Sequence, residues 1–307
     1  MYPLLLQPAF KDYLWGGQRL KAEYNKNCEL NPLAESWEVS CHADGESVIS
    51  NGEYAGLNLS GFLAQNPAAL GFKRKQNILP LLIKLLDSKQ SLSVQVHPGN
   101  KYAKKHLNDS GKTEMWYVLD CEPNSYIYLG FKKRTSKKKF EDSIEKGTLT
   151  DLLNKITVKK GDVFFIPAGT IHALGAGIVI AEVQQSSNAT FRVYDFGRTG
   201  ADGRPRQLHI KQALDVTKRT PAKLNPPKGN LLAECKYFKC GLLNIEGQKT
   251  LNTKNESFHA LLCTQGTAEV TADGITVELK RGQSCFITAD TGAYTVCGNG
   301  AILITQL

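Results

Sequence analysis

No stretch of this 307-residue chain approaches the roughly 18 consecutive apolar residues that a membrane-spanning helix needs. The opening Met1-Tyr2-Pro3-Leu4-Leu5-Leu6 is too brief for a signal peptide and has no basic segment ahead of its apolar residues, so no leader is expected. None of the eight cysteines forms a C-x-x-C pair, which argues against a cysteine zinc knuckle. A chain of this length does not depend on disulfide staples, and the expectation is a cytoplasmic protein with reduced, partly buried thiols. The 38 basic and 29 acidic residues leave a formal charge of +9, but that charge is scattered and no nucleic-acid motif accompanies it. Neither nucleic acid nor membrane is expected as a partner; a phosphorylated small molecule is another partner a basic balance can serve. Nothing in the sequence sets an oligomeric state.

What is present reads as an ordinary globular protein, 41% apolar and 22% charged, long enough for two domains or one large β domain with additions. Short runs rich in β-branched and aromatic residues dominate: 47–50, 92–96, 115–119, 125–129, 162–166 and 178–183. Leu57 to Gln65 and Ser136 to Ile156 carry helical periodicity instead, the second around Gly147. Many short strands with few helices predict a mainly β protein, a sandwich or barrel with helical additions. The proline-rich Thr220 to Gly229 reads as a linker, dividing a domain of residues 1–222, with a helical insertion at about 132–157, from a β domain of residues 223–307. A weak internal repeat crosses that boundary. The segment Gly161 to His172 aligns with Gly282 to Ala293, sharing the leading glycine, Phe-Ile and a threonine, and Gly177 then falls on Gly298. In the second copy Ala293 stands where the first has His172, so the copy is expected to be structural.

Three short segments can build one metal site: Gln95-Val96-His97-Pro98, Gly111-Lys112-Thr113-Glu114 and Pro167-Ala168-Gly169-Thr170-Ile171-His172. Imidazole, amide oxygen and carboxylate suit zinc, and also manganese, iron or cobalt, with a position left open for water or substrate. Residues two apart on a strand share a face, which pairs Gln95 with His97 and Lys112 with Glu114. The remaining histidines, His42, His106, His209 and His259, have no matching partners and read as structural or exposed. The basic run Lys132 to Lys139 reads as a solvated face.

Gly161-x5-Pro167-x-Gly169-x2-His172 resembles the second signature of the cupin superfamily, whose jelly-roll barrel holds a metal. Two departures narrow the resemblance: Ala176 stands where an asparagine is usual, and the first signature is stretched into Gln95-x-His97 with Glu114 much later. Gln-x-His-Pro, Gly-Lys-Thr-Glu-Met and Pro-Ala-Gly-x-x-His in this order are similar to the type I mannose-6-phosphate isomerases, especially the short bacterial form. Segments Tyr13 to Gly17, Glu35 to Ser40, Leu82 to Asp87, Thr190 to Arg198 and Phe258 to Gly266 carry the same likeness, which spans nearly the whole chain. The resemblance implies a cupin jelly-roll barrel carrying the metal and a second, degenerate cupin-like C-terminal domain. It also implies one Zn2+ per chain on Gln95, His97, Glu114 and His172.

The reaction so implied interconverts mannose 6-phosphate and fructose 6-phosphate through an enediol-like intermediate, with a phosphorylated hexose as partner. Arg192 matches an active-site arginine of the family, and a guanidinium suits orientation and charge stabilisation better than proton abstraction. Lys112, whose pKa a neighbouring dication would depress, and Glu182, at another matching position, compete for the proton transfer. Lys84 and Arg198 are candidates for binding the substrate, together with Arg192. Two rival readings remain: an iron-dependent cupin oxygenase using His97, His172 and Glu114, and a non-catalytic sugar-binding cupin.

Overall fold

A computed structural model describes residues 1–72, 78–200 and 203–307. Three antiparallel sheets carry the fold. The first runs in the order Val163–Ile166, Glu114–Cys121, Ile178–Gln185, Leu81–Ser88, Glu35–Val39, Ala9–Lys11. The second runs Leu153–Thr157, Tyr126–Phe131, His172–Leu174, Val94–Val96, Phe191–Tyr194. The third has eight strands. Six are C-terminal, among them the 14-residue Lys239–Asn252, His259–Ala272 and Ala293–Gln306, and two come from the N-terminal part, Leu4–Gln7 and Val48–Ile49. Leu4–Gln7 pairs with Ser284–Ile287 in the register Leu5 to Cys285, so the first strand of the chain completes the last sheet.

Period-two alternation explains how these sheets stack. The central strands Leu81–Ser88 and Ile178–Gln185 are buried along their whole length, because both faces are covered. Leu81, Ile83, Leu85, Val179, Ala181 and Val183 point one way, into an apolar core shared with Phe258, Leu262 and Phe286 of the third sheet. Lys84, Glu182 and Gln184 point the other way, toward the second sheet. That sheet alternates as well: Val94, Val96, Phe191 and Val193 pack outward against Phe140, Ile144, Ala213 and Leu214 of the helices Lys137–Glu145 and Ile210–Val216. Gln95, His172 and Arg192 occupy the inward positions between them.

The structure bears out the expectation of a mainly β fold, and the short strand runs fall within observed strands or overlap them closely. It revises one helix. Of Ser136 to Ile156 only Lys137–Glu145 and Leu149–Leu152 are helical; Leu153–Thr157 is an edge strand paired with Tyr126–Phe131. Gly147, at φ 67°, breaks the helical run, and β-branched Ile156 and Thr157 favour the pleated continuation. Of the basic run, all but Thr135 is exposed. The two repeat copies share geometry. Strands 163–166 and 284–287 follow Gly161 and Gly282 at φ 90° and 89°, and His172 and Ala293 each open the next strand. Among the described residues no helix is long and apolar enough to cross a membrane.

One buried ion pair ties the first sheet to the third. Glu38 lies on the face opposite Glu35 and Trp37, fully buried, with Lys26 Nζ 2.7 Å from its Oε1. Ser36 Oγ donates to the same oxygen at 2.6 Å, and Ser284 Oγ reaches Oε2 at 3.3 Å. Removing one partner of such a pair strands the other charge. Lys26→Met should cost about 3–5 kcal/mol in urea unfolding, with much of it recovered when Glu38 is also made apolar. A loss below about 1 kcal/mol would show that Glu38 is satisfied without the ammonium.

Candidate metal centre

Strand register assembles the site. Across the first sheet Trp37 lies opposite Lys84, Lys84 opposite Glu182, and Glu182 opposite Trp116. Residues two positions away share that face, which brings in Glu35 beside Trp37 and Glu114 beside Trp116. From the second sheet, Gln95 is directly opposite both His172 and Arg192. His97 follows two residues after Gln95. Four ligand candidates from three distant segments thus meet between two sheets.

His97, Glu114 and His172 are buried, each offering one ligand atom within 4.8 Å of the others. Both rings are set in one tautomer. His97 Nδ1 donates to the carbonyl of Ala189 at 2.9 Å, and His172 Nδ1 donates to that of Thr170 at 2.9 Å. A carbonyl can only accept, so each Nδ1 carries the proton and each Nε2 presents a lone pair, the arrangement that precedes metal ligation. Burial holds both rings neutral, pushing His172 down to about 4 and His97 well below its usual value.

The carboxylate completes the case for a cation. Glu114 Oε1 lies 3.2 Å from His172 Nε2, and Oε2 lies 3.3 Å from His97 Nε2. Lone pairs facing a carboxylate at that distance repel unless a cation sits among them. Lys112 supplies one on the Oε2 side, bonded to Glu114 and 3.1 Å from His97 Nε2. Oε1, fully buried, has no hydrogen-bond partner among the described residues. Burial accordingly raises the Glu114 pKa, with Lys112 opposing the rise and Glu182 adding to it. A buried acceptor without a partner is costly, and a divalent ion bound by nitrogen and oxygen would remove the cost. Gln95 is adjacent, its Nε2 3.4 Å from His172 Nε2, and a half-turn of its amide presents the carbonyl oxygen in the same place. The donor set fits a divalent metal.

Beside these ligands a cavity of about 240 Å³ is lined by Gln95, Lys112, Glu182, Lys84, Arg192 and Arg206, among others. Glu182 is buried with Lys112 Nζ 3.6 Å from Oε1 and Lys84 Nζ 3.7 Å from Oε2, and Trp116 Nε1 donates to Oε1 at 2.8 Å. Burial raises its pKa, but the two ammonium groups outweigh that and hold it down at about 2. Burial lowers the Lys112 pKa, and Glu114 and Glu182 on either side outweigh that and leave it raised. Lys84 is held by Glu35 Oε2 at 3.3 Å and lies 4.5 Å over the Trp37 ring.

Arg192 faces the cavity, with Nη1 donating to the Gln207 carbonyl at 2.9 Å and Nε buried without a partner among the described residues. Arg198 faces elsewhere. It is bonded to the Ser91 carbonyl and to Asp195, and lines a neighbouring cavity of about 380 Å³ that also contains Trp15 and Arg206. Sequence reasoning did not single out Glu35, Trp116 or Arg206 as site residues. Trp116 was within reach, two residues after Glu114 on one strand; Arg206 arrives from a loop and had no signal.

A family model for the phosphomannose isomerase type I catalytic domain matches residues 4–149, and one for the mannose-6-phosphate isomerase cupin domain matches residues 228–307. The chain is 36% identical over 315 residues to the probable mannose-6-phosphate isomerase GmuF of Bacillus subtilis, covering 99% of both. It is 44% identical over 225 residues to the mannose-6-phosphate isomerase of Streptococcus mutans, covering 73% of this chain and 71% of that one. The crystal structure of the mannose 6-phosphate isomerase from Bacillus subtilis superposes with a TM-score of 0.92 at 30% identity over 100% of both chains.

The geometry makes a direct demand on metal content. Elemental analysis of the purified protein should find about one divalent ion per chain, and His172→Ala should lower that by tenfold or more at equal chelator exposure. Undiminished metal in a folded His172→Ala variant would remove this histidine from the ligand set.

Proposed function

The chain belongs to the type I phosphomannose isomerases, and on that premise we propose that it interconverts mannose 6-phosphate and fructose 6-phosphate with one zinc ion held by Gln95, His97, Glu114 and His172. The observation carrying this reading is the partnerless Glu114 Oε1 between two lone-pair imidazoles, behind Gln95 and Lys112, which line a cavity that also presents Glu182. Nitrogen and oxygen donors without thiolate suit zinc in an open catalytic site. The eight free thiols suit a reducing cytoplasm, where we place the enzyme. Sugar binding without chemistry would not call for a carboxylate kept ionised between two ammonium groups.

Aldose–ketose isomerisation moves a proton between carbons 1 and 2 and relocates the oxygen-bound hydrogen. Bound zinc supplies Lewis acidity to the substrate oxygens on these carbons. Glu182 is the residue we assign to carbon-bound proton transfer: it is ionised, reaches the cavity and is fixed by Trp116 and two lysines. Lys112, protonated between Glu114 and Glu182, is assigned to donate to the developing oxygen charge and to carry the oxygen-bound proton. Arg192 stays protonated and orients the enediol-like intermediate from the opposite sheet, across from Gln95. Lys84, neutralised by Glu35 and Glu182, is assigned to a sugar hydroxyl.

The deciding experiment strips the metal with a chelator, adds back zinc, and follows mannose 6-phosphate conversion with a coupled assay. Activity should vanish and return. Oxygen uptake without isomerisation would favour the oxygenase reading. Glu182→Gln should lower kcat by about 10²–10⁴ with metal content unchanged, and a smaller effect would return the base assignment to Lys112. Arg192→Ala should lower turnover by about 10²–10³ while zinc stays bound, and unchanged turnover would remove it from the mechanism.

A further inference from the structure

The charges of the cavity are not evenly distributed. Along its floor and just beneath it, Glu35, Lys84, Glu182 and Lys112, with Glu114 behind Lys112, alternate in sign, each carboxylate within 3.7 Å of a neighbouring ammonium. Three carboxylates against two ammonium groups leave −1, which a divalent ion brings to +1. Further out, Arg198 and Arg206 share the carboxylate of Asp195 while Arg192 is bonded to the Gln207 carbonyl, three arginines around one carboxylate, leaving +2. A six-carbon sugar phosphate has the matching asymmetry. Its reacting carbons lie at one end and its dianion at the other, and the floor carboxylates repel that dianion.

Arg206 is the arginine placed to meet it. Its guanidinium is held in bidentate fashion by Asp195, Nε to Oδ2 at 2.7 Å and Nη2 to Oδ1 at 2.5 Å, while Nη1 has no partner among the described residues. It lines both the metal-facing cavity and its neighbour. Arg192 is deeper, across from Gln95, and is tied through Nη1 to the carbonyl of Gln207, the residue after Arg206. Burial lowers the Arg192 pKa, and the charge of Arg206 lowers it further. Both guanidinium groups line one polar cavity, and like charges sharing a cavity set up the field a phosphate relieves. Arg198 spends its donors on Ser91 and Asp195, so its role toward the anion is to brace the shared carboxylate.

We propose that Arg206 binds the phosphate of the substrate, with Asp195 as the positioning residue that presets its guanidinium. The proposal rests on the hexose-phosphate reading above and adds the group that makes the site select a phosphorylated sugar. An interaction with a distant, non-reacting phosphate contributes equally to ground and transition states, so its loss appears in KM.

The test uses inorganic phosphate as the probe, titrated calorimetrically into the metal-loaded full-length enzyme. Arg206→Gln should weaken phosphate binding about 10- to 100-fold and raise KM for mannose 6-phosphate by a similar factor, with kcat within about twofold. Arg206→Lys should fall between, since an ammonium keeps the charge and loses the fork. Asp195→Asn should raise KM by a smaller factor at unchanged kcat. Lys138→Gln on the exposed basic run should leave phosphate binding as it is, which separates a site from the overall +9 charge. Phosphate binding and KM unchanged in folded, metal-loaded Arg206→Gln would overturn the proposal, as would a collapse of kcat at constant KM. The titration needs no turnover: a wild type that binds phosphate through Arg206 but does not isomerise would sink only the isomerase reading.

Discussion

Burying charge is the constraint around which this molecule is built. Glu35, Lys84, Glu182, Lys112 and Glu114 all lie within the fold, where an isolated ion would cost several kcal/mol even after relaxation. They are tolerated because strand register places opposite signs side by side: Lys84 directly faces Glu182, and Lys112 reaches both Glu182 and Glu114. The series ends at Glu114 Oε1, which the protein leaves unsatisfied. That single oxygen is the place a cation would relieve, and the two imidazoles whose tautomers are fixed by backbone carbonyls offer nitrogen donors beside it.

The rest of the architecture holds that series still. Apolar residues on alternate positions of the same strands pack against the third sheet, so the charged face is backed by a core rather than by solvent. Trp37 and Trp116, at the two ends of the facing row, donate to Glu35 and Glu182 through their ring nitrogens. On the other side, helices cover the second sheet and leave its inward positions to Gln95, His172 and Arg192. The C-terminal repeat keeps the turn and strand geometry of the first copy, with Ala293 where the first has His172. It also takes in the first strand of the chain, so it buttresses the catalytic half without offering ligands.

Part of this was legible in the sequence. The spacing Gln95-x-His97 has meaning on a strand of period two, and Pro167-x-Gly169-x2-His172 describes a turn that returns a histidine inward. The same local logic failed at residues 153–156, where apolar spacing read as helix. The deciding interaction there is the pairing with Tyr126–Phe131, which local periodicity does not contain. It also passed over Arg206, because a loop arginine becomes a cavity residue only through its fork on Asp195.

The amino-acid sequence alone therefore determined the β-rich class, the candidate donor types, two of the strands that bear them and the family. These depend on side-chain chemistry and on short spacings along one strand. The tertiary structure decided which charges are neighbours: that Glu182 stands between two lysines, that Lys112 lies between two carboxylates, and that the excess positive charge collects away from the candidate metal ligands, around Asp195. Those outcomes depend on cross-strand register and burial, where a Coulomb interaction a few ångströms long in a low dielectric outweighs any propensity of the residues that make it.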